Sequence, residues 1–152
     1  MQTLFIFFSL LLLIMSASAQ TDNPDYDSAM AKSLNADEYG MKNYFFVILK
    51  TGTNESKDKA VIDSVFAGHM QNINRLAENG TLALAGPFGE NDKNYRGLYI
   101  FNAKDIEEVT ELVNTDPAVK AKFLEPEIYP WYGSAAVQEI TKIHNKVSKY
   151  KF

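Results

Sequence analysis

Apolar and polar positions along the chain follow two periods, which predict strands and helices in alternation. Four apolar runs of strand length lie between turn residues, at residues 44–49, 82–85, 97–101 and 123–128. The first run, YFFVIL, is apolar throughout, which is typical of a strand buried on both faces. The second and third runs are expected to pair as a hairpin. Pro126 marks the fourth run as an edge strand or a bulge, because proline has no N–H for a sheet ladder.

Apolar residues spaced three or four apart predict two helices between these strands. The first helix spans residues 58–79 and stops at Gly80, and its stripe consists of Val61, Val65, His69, Ile73 and Leu76. The second helix spans residues 105–115 and ends before Pro117, because proline cannot continue it. A short helical turn at residues 118–122 follows.

The predicted order of elements is β, α, β, β, α, β, followed by one more helix that Ser134 caps. This is the order of the ferredoxin-like α+β fold, whose two crossover helices cover the same face of the sheet. Since the strand at residues 44–49 is apolar on both sides, the other face needs a cover as well. Either a second subunit or the C-terminal helix supplies it, and we expect a symmetric homodimer.

The N-terminus has the pattern of a secretory signal peptide. Residues 4–15 are apolar, residues 16–19 are small, and a polar segment begins at Gln20. The apolar run is shorter than the roughly 20 residues that a membrane-spanning helix needs, so we expect cleavage after Ala19 rather than an uncleaved anchor. The chain is then secreted or periplasmic and keeps no membrane segment.

These patterns divide the chain into four segments: a signal peptide at residues 1–19, a polar leader at 20–43, an α+β domain at 44–133 and a C-terminal helix at 134–152. The absence of cysteine excludes disulfides, thiol catalysis and thiolate metal sites. With two histidines in the whole chain, no metal or cofactor site is predicted. The net charge of −4, with both signs interspersed, argues against nucleic acid as a partner.

Four short motifs, in this order, carry a resemblance to the YCII-related family. They are His69 with Leu76, the segment GTLALAGP at residues 80–87, Asp116-Pro117 with Ala118 and Val119, and Pro130-Trp131. The resemblance covers residues 44–131 and implies a dimeric α+β barrel. It also implies a cleft beside the sheet in which His69 and Asp116 form a catalytic pair. The chain differs from the small cytosolic members in its signal peptide, its leader and its C-terminal extension.

The side chains of His69 and Asp116 are suited to general acid–base catalysis. An imidazole exchanges a proton near neutral pH, and a carboxylate partner would fix its tautomer and favour its protonated form. Structural roles are also open at this point. A histidine on an apolar stripe can be satisfied by a backbone carbonyl, and an aspartate directly before Pro117 suits a helix cap.

Two further residues are candidates for substrate binding. Arg96, just before the strand at residues 97–101, either attracts an anionic substrate or edges the hairpin loop. Trp131, with the neighbouring Tyr129 and Tyr132, either lines a pocket or belongs to a core or an interface.

The leading functional hypothesis is a small-molecule isomerase or lyase that uses the His69 and Asp116 pair as general acid and base on a carbonyl or lactone-type compound. The alternative is a non-catalytic domain that binds a small ligand or a protein through the same cleft. In that case His69 and Asp116 serve packing and capping.

Overall fold

A four-stranded antiparallel sheet forms the centre of the structure, a computed structural model that describes residues 23–150. Its strands are β1 (Met41–Thr51), β2 (Leu82–Pro87), β3 (Tyr95–Phe101) and β4 (Leu124–Ser134). They lie in the order β2, β3, β1, β4, and all neighbours are antiparallel. The predicted ferredoxin-like α+β fold is therefore confirmed, and so is the hairpin of β2 and β3.

Helices connect the strands and extend both ends of the domain. They are α1 (Ser28–Ser33), α2 (Lys59–Glu78), α3 (Ile106–Val113), α4 (Pro117–Lys120), a 3₁₀ helix (Ala135–Glu139) and α5 (Ile140–Val147). An aspartate caps each of the three middle helices: Asp58 accepts backbone N–H bonds at α2, Asp105 at α3 and Asp116 at α4. These capping hydrogen bonds explain why the helices begin close to where the sequence predicts.

Most boundaries differ from those predicted by the sequence by at most three residues, and larger differences lie at the C-terminal end. Strand β4 continues past residue 128 to Ser134 and pairs with β1 along the full length of both strands. Its position at the sheet edge explains why Pro126 and Pro130 are tolerated, since an edge strand has one side without a ladder partner. Ser134 caps the 3₁₀ helix rather than an α-helix, and the α-helix begins at Ile140.

Each face of the sheet has its own apolar cluster. On the face under the crossover helices, Val47 and Leu49 of β1 pack with buried side chains from the sheet and helices, which include Leu76, Tyr99, Phe101, Val109 and Ala118. On the opposite face, Tyr44 packs with Ala83 and Ile100, and Val137 of the 3₁₀ helix lies against this cluster. Strand β1 therefore contributes apolar side chains to both faces, as its continuous apolar run predicts.

Within residues 23–150, the 3₁₀ helix covers one end of the second face. The Tyr44 hydroxyl donates to the backbone carbonyl oxygens of Ser134 and Ala135 at 3.1 and 3.2 Å, which holds the C-terminal segment at that end. Further along, Phe46 and Ile48 are half-buried and Tyr129 is 47% exposed. We call the surface formed by Phe46, Ile48 and Tyr129 the open sheet face.

The signal peptide predicted for residues 1–19 lies outside the described residues. None of the helices between residues 23 and 150 is both long and apolar enough to cross a bilayer.

Candidate functional site

His69 lies on the buried side of α2, a little past the middle of the helix. The helix begins at its cap Asp58, whose Oδ1 accepts hydrogen bonds from the backbone N–H groups of Ala60 and Val61. Val61 itself is 44% exposed, so the inward stripe starts at Val65 rather than at Val61. The imidazole of His69 keeps 12% of its surface accessible. A polar ring is therefore held in an otherwise apolar stripe.

Asp116 occupies the turn between α3 and α4 and is completely buried. Its Oδ1 accepts the backbone N–H of Ala118 at 2.8 Å, and Pro117 follows at the first helical position. This is the capping role that the Asp-Pro pair suggests. The other carboxylate oxygen, Oδ2, is left to face the core.

The structure brings His69 and Asp116 together across 47 positions of sequence. Nδ1 of His69 lies 2.7 Å from Oδ2 of Asp116. The hydroxyl of Tyr99, on β3, donates to the same oxygen at 2.9 Å and lies 3.4 Å from Nδ1 of His69. Asp116 therefore has three hydrogen-bonding partners, from α2, from β3 and from the backbone of α4.

A glycine on α2 permits this approach. Gly68 precedes His69, and a Cβ atom built on it would lie 3.0 Å from Cγ of Pro117. A larger residue would press against the stiff proline ring. The small residue next to His69 and the proline next to Asp116 thus let the helices α2 and α4 pack closely enough for the two side chains to meet.

Electrostatics keep Asp116 ionised. Burial acts to raise the pKa of Asp116, but the hydrogen bond and positive charge of His69, the N–H of Ala118 and the Tyr99 hydroxyl outweigh it, so the net pKa lies below its usual value. Burial, together with the Asp116 carboxylate, raises the pKa of Tyr99, so that its hydroxyl stays a donor. Since an ionised carboxylate can only accept, Nδ1 of His69 carries the proton that bridges the pair.

His69 lines a cavity of about 990 Å³ that runs along the edge strand β2. Its walls come from α2, from β2 and β3, and from α5 with the residues that follow it. The wall near His69 is apolar and includes Ile73, Leu82 and Ala85. Cavities of this size and character are typical of small-molecule sites.

Arg96 and Trp131, the two substrate-binding candidates, lie in different places. Arg96 is on the wall of the His69 cavity, and its Nε donates to Oγ1 of Thr51 at 2.7 Å. Trp131 is opposite Tyr44 in the sheet register, and the two rings pack with their centroids 5.6 Å apart. That pair belongs to the cluster on the far face of the sheet, so the structure does not bring Trp131 to His69.

Sequence reasoning missed Tyr99 and the contribution of the C-terminal helix. Tyr99 alternates with Leu98 and Ile100, which places it on the same face of the sheet as Phe101. The sequence of this apolar strand does not show whether the tyrosine hydroxyl contacts a carboxylate or the side chain only packs in the core. Among the described residues, no group of three or more His, Cys, Asp or Glu side chains is arranged to hold a metal ion.

Comparison with known proteins identifies a family and a similar solved structure. The model of the YCII-related domain matches residues 44–132, more than half of the chain. No curated protein matches. One similar solved structure is a 5-chloro-2-hydroxyhydroquinone dehydrochlorinase from Burkholderia phenoliruptrix AC1100 in complex with 2,5-dihydroxybenzoquinone. It is 24% identical with a TM-score of 0.42, and the match covers 57% of this chain and 92% of that one.

Replacing Asp116 by asparagine tests the charge at the centre of the site. The asparagine side chain keeps an oxygen to cap α4 but loses the anion that His69 and Tyr99 meet, so we expect Asp116→Asn to lower the free energy of unfolding by about 1.5–3 kcal/mol at pH 7. The folded pKa of Asp116 is below its unfolded value of about 3.9. Its stabilising effect is therefore present above that value and lost as pH falls through the folded pKa.

The measurement is urea unfolding of both proteins from pH 7 to pH 3, and the difference between them should shrink toward the acid end. Asp105→Asn is the matched control, because Asp105 caps α3 without a histidine partner. An Asp116→Asn penalty that is no larger than that of Asp105→Asn, or that is independent of pH, would show that capping is the whole role of Asp116.

Proposed function

The chain belongs to the YCII-related family, and from this premise we propose that it is an enzyme for a small organic molecule, in which His69 exchanges a proton and Asp116 holds the imidazole. The observation that carries the proposal is the 2.7 Å contact between Nδ1 of His69 and the fully buried Asp116, with His69 on the wall of a large cavity.

The pair has the chemistry of a general base. With Nδ1–H directed to Asp116, Nε2 is the nitrogen that can accept a proton from a molecule in the cavity. The adjacent carboxylate then stabilises the imidazolium that forms. When the proton comes from a carbon next to a carbonyl group, its electron pair forms an enolate. Return of the proton at another atom gives isomerisation, and expulsion of a leaving group from the neighbouring carbon gives elimination.

The hydrogen bonds of Asp116 favour this role over capping alone. A cap uses one carboxylate oxygen, and Oδ1 serves that purpose with Ala118. Oδ2 is directed to His69 and Tyr99 instead, and burying an ionised carboxylate for packing alone is costly. The arrangement is thus suited to fix a histidine ring whose far side meets a ligand. A non-catalytic binding domain would bind the ligand without transferring a proton. Measurement of proton exchange therefore distinguishes an enzyme from a binding domain.

The proposed assembly is a homodimer that packs through the open sheet face. Phe46 and Ile48 are half-buried and Tyr129 is 47% exposed on this face, while the 3₁₀ helix lies against the far end of the same side of the sheet. The ion pair of Lys50 and Glu127, 2.6 Å between Nζ and Oε1, borders the same surface. A second copy laid sheet against sheet would remove this apolar area from water.

The proposed location is outside the cytoplasm, either secreted or periplasmic. The support is the pattern at residues 4–19, a short apolar segment followed by small residues.

Proton exchange into D₂O tests the catalytic proposal without knowledge of the full reaction. A panel of small ketones and lactones is incubated with the protein, and loss of the proton next to the carbonyl is followed by NMR. We expect His69→Gln to slow the enzyme-dependent exchange by about 10²- to 10⁴-fold, because the general base is gone. Asp63→Asn, on the exposed side of the same helix, is the control and should exchange at the parent rate.

Equal exchange by His69→Gln and the parent protein would overturn the catalytic role of His69. Exchange that is absent from the parent protein across the panel, while a ligand of the panel still binds, would favour the non-catalytic binding domain.

Light scattering tests the homodimer. The parent protein should have the mass of a dimer at about 10 μM, and Phe46→Asp should give a monomer, because a buried unpaired carboxylate is costly at a sheet-to-sheet interface. Val61→Asp places the same change on an exposed apolar residue of α2 and should leave the dimer intact. A monomeric parent protein would contradict the packing.

N-terminal sequencing of the protein recovered after export from a bacterial host tests the signal peptide. The mature chain should begin at Gln20, after the small residues Ala17 and Ala19. An intact Met1 on membrane-bound protein would indicate an uncleaved anchor.

A further inference from the structure

The C-terminal helix forms part of the wall of the His69 cavity although it lies outside the family domain. The YCII-related match ends at residue 132, and α5 begins at Ile140. Ile140 and His144 of α5, and Lys149 beyond its end, line the same cavity as His69. A segment that this chain adds to the family domain therefore bounds its candidate site.

The apolar part of the lining suits a hydrocarbon body. Ile73 and Leu82 belong to the wall of the domain, and Ile140 adds an aliphatic side chain from α5. Ile140 is 37% exposed, so the chain itself leaves part of this side chain uncovered. An apolar ligand in the cavity would take that surface out of water, which is favourable in proportion to the area buried.

The charged residues of the lining give the cavity a local excess of positive charge. Among the described residues they are Arg96 and Lys149, opposed by the carboxylate of Glu78. Arg96 is held by its hydrogen bond to Thr51, and Nζ of Lys149 lies 5.6 Å from the ring centroid of Tyr150, which also lines the cavity. In a chain whose net charge is −4, two cations at one cavity favour an anionic ligand.

We propose that residues 140–150 form a specificity wall and that the cavity binds a small, largely apolar molecule that carries one negative charge. The apolar body lies against Ile140, Ile73 and Leu82, and the anionic group meets Arg96 and Lys149. The inference rests on the proposed function in that it names the ligand class of the same site, but it concerns binding and does not require turnover.

The helix offers its own matched controls. Ile140 lines the cavity, whereas Ile143, on the same helix and 57% exposed, does not. Lys149 lines the cavity, whereas Lys146 does not. Each pair differs in placement and not in residue type. The two isoleucines share α5, and either lysine change removes one positive charge.

Two probes that share one aromatic skeleton test the wall and the charge separately. They are 8-anilinonaphthalene-1-sulfonate, an anion, and N-phenyl-1-naphthylamine, its uncharged counterpart. Affinity is measured by fluorescence on the purified chain. The site of binding is reported by the ring-proton NMR signals of His69, which are assigned from their absence in His69→Gln.

We expect the sulfonate to shift the His69 signals and to bind more tightly than the uncharged probe. Ile140→Ser should weaken both probes by about tenfold, consistent with the loss of part of an isoleucine contact. Lys149→Gln should weaken the sulfonate by about three- to fivefold and leave the uncharged probe unchanged. Ile143→Ser and Lys146→Gln should bind both probes as the parent protein does.

Several outcomes would overturn the inference. One is probe binding that leaves the His69 signals in place, and another is an equal loss for Ile140→Ser and Ile143→Ser. Equal affinity of the parent protein for the two probes would show that the cavity does not select a negatively charged ligand. Probe binding that follows the expected pattern, in a protein that catalyses no proton exchange, would support the specificity wall and contradict catalysis. Proton exchange that is unaffected by the changes at Ile140 and Lys149 would support catalysis and contradict the specificity wall.

Discussion

The structure of the candidate site depends on one buried carboxylate. Asp116 has no exposed surface, yet it is held ionised by three partners that come from separate parts of the fold. The backbone N–H of Ala118 fixes the start of α4, His69 ties the carboxylate to α2, and Tyr99 ties it to the sheet. Because an uncompensated buried charge is costly, the positions of these elements are coupled to one another. The same requirement that orients the histidine also holds α2, α4 and β3 in place.

The two faces of the sheet serve different purposes. The crossover helices cover one face and build the His69 and Asp116 pair into its apolar cluster. The C-terminal segment covers one end of the other face through Val137, and α5 then continues along the cavity beside β2. The C-terminal extension therefore both covers one end of the sheet and lines the candidate site. Phe46, Ile48 and Tyr129 of the open sheet face do not line the cavity, so the proposed dimer and the proposed ligand use different residues.

Much of the fold could be predicted from hydrophobic spacing and local chemistry. The continuous apolar run of β1, the stripe of α2 and the proline after Asp116 each reflect a constraint that acts over a few residues. The relations that could not be predicted are those that a distant part of the chain decides. Strand β4 extends to Ser134 because β1 supplies a partner along its whole length, and Trp131 lies on the far face because its register with Tyr44 places it there. Neither register nor edge position can be read from one strand alone.

The sequence by itself determined the order of the elements, the helix caps and the two residues most suited to proton transfer, because periodicity, capping and side-chain chemistry are local properties. Only the tertiary structure decided that His69 and Asp116 lie 2.7 Å apart, that Tyr99 shares the same carboxylate oxygen, and that a helix beyond the family domain lines the His69 cavity. Those relations join residues that are far apart in the chain. They are set by how helices and sheet pack, here through the close approach of Gly68 and Pro117, and packing is a property of the whole fold.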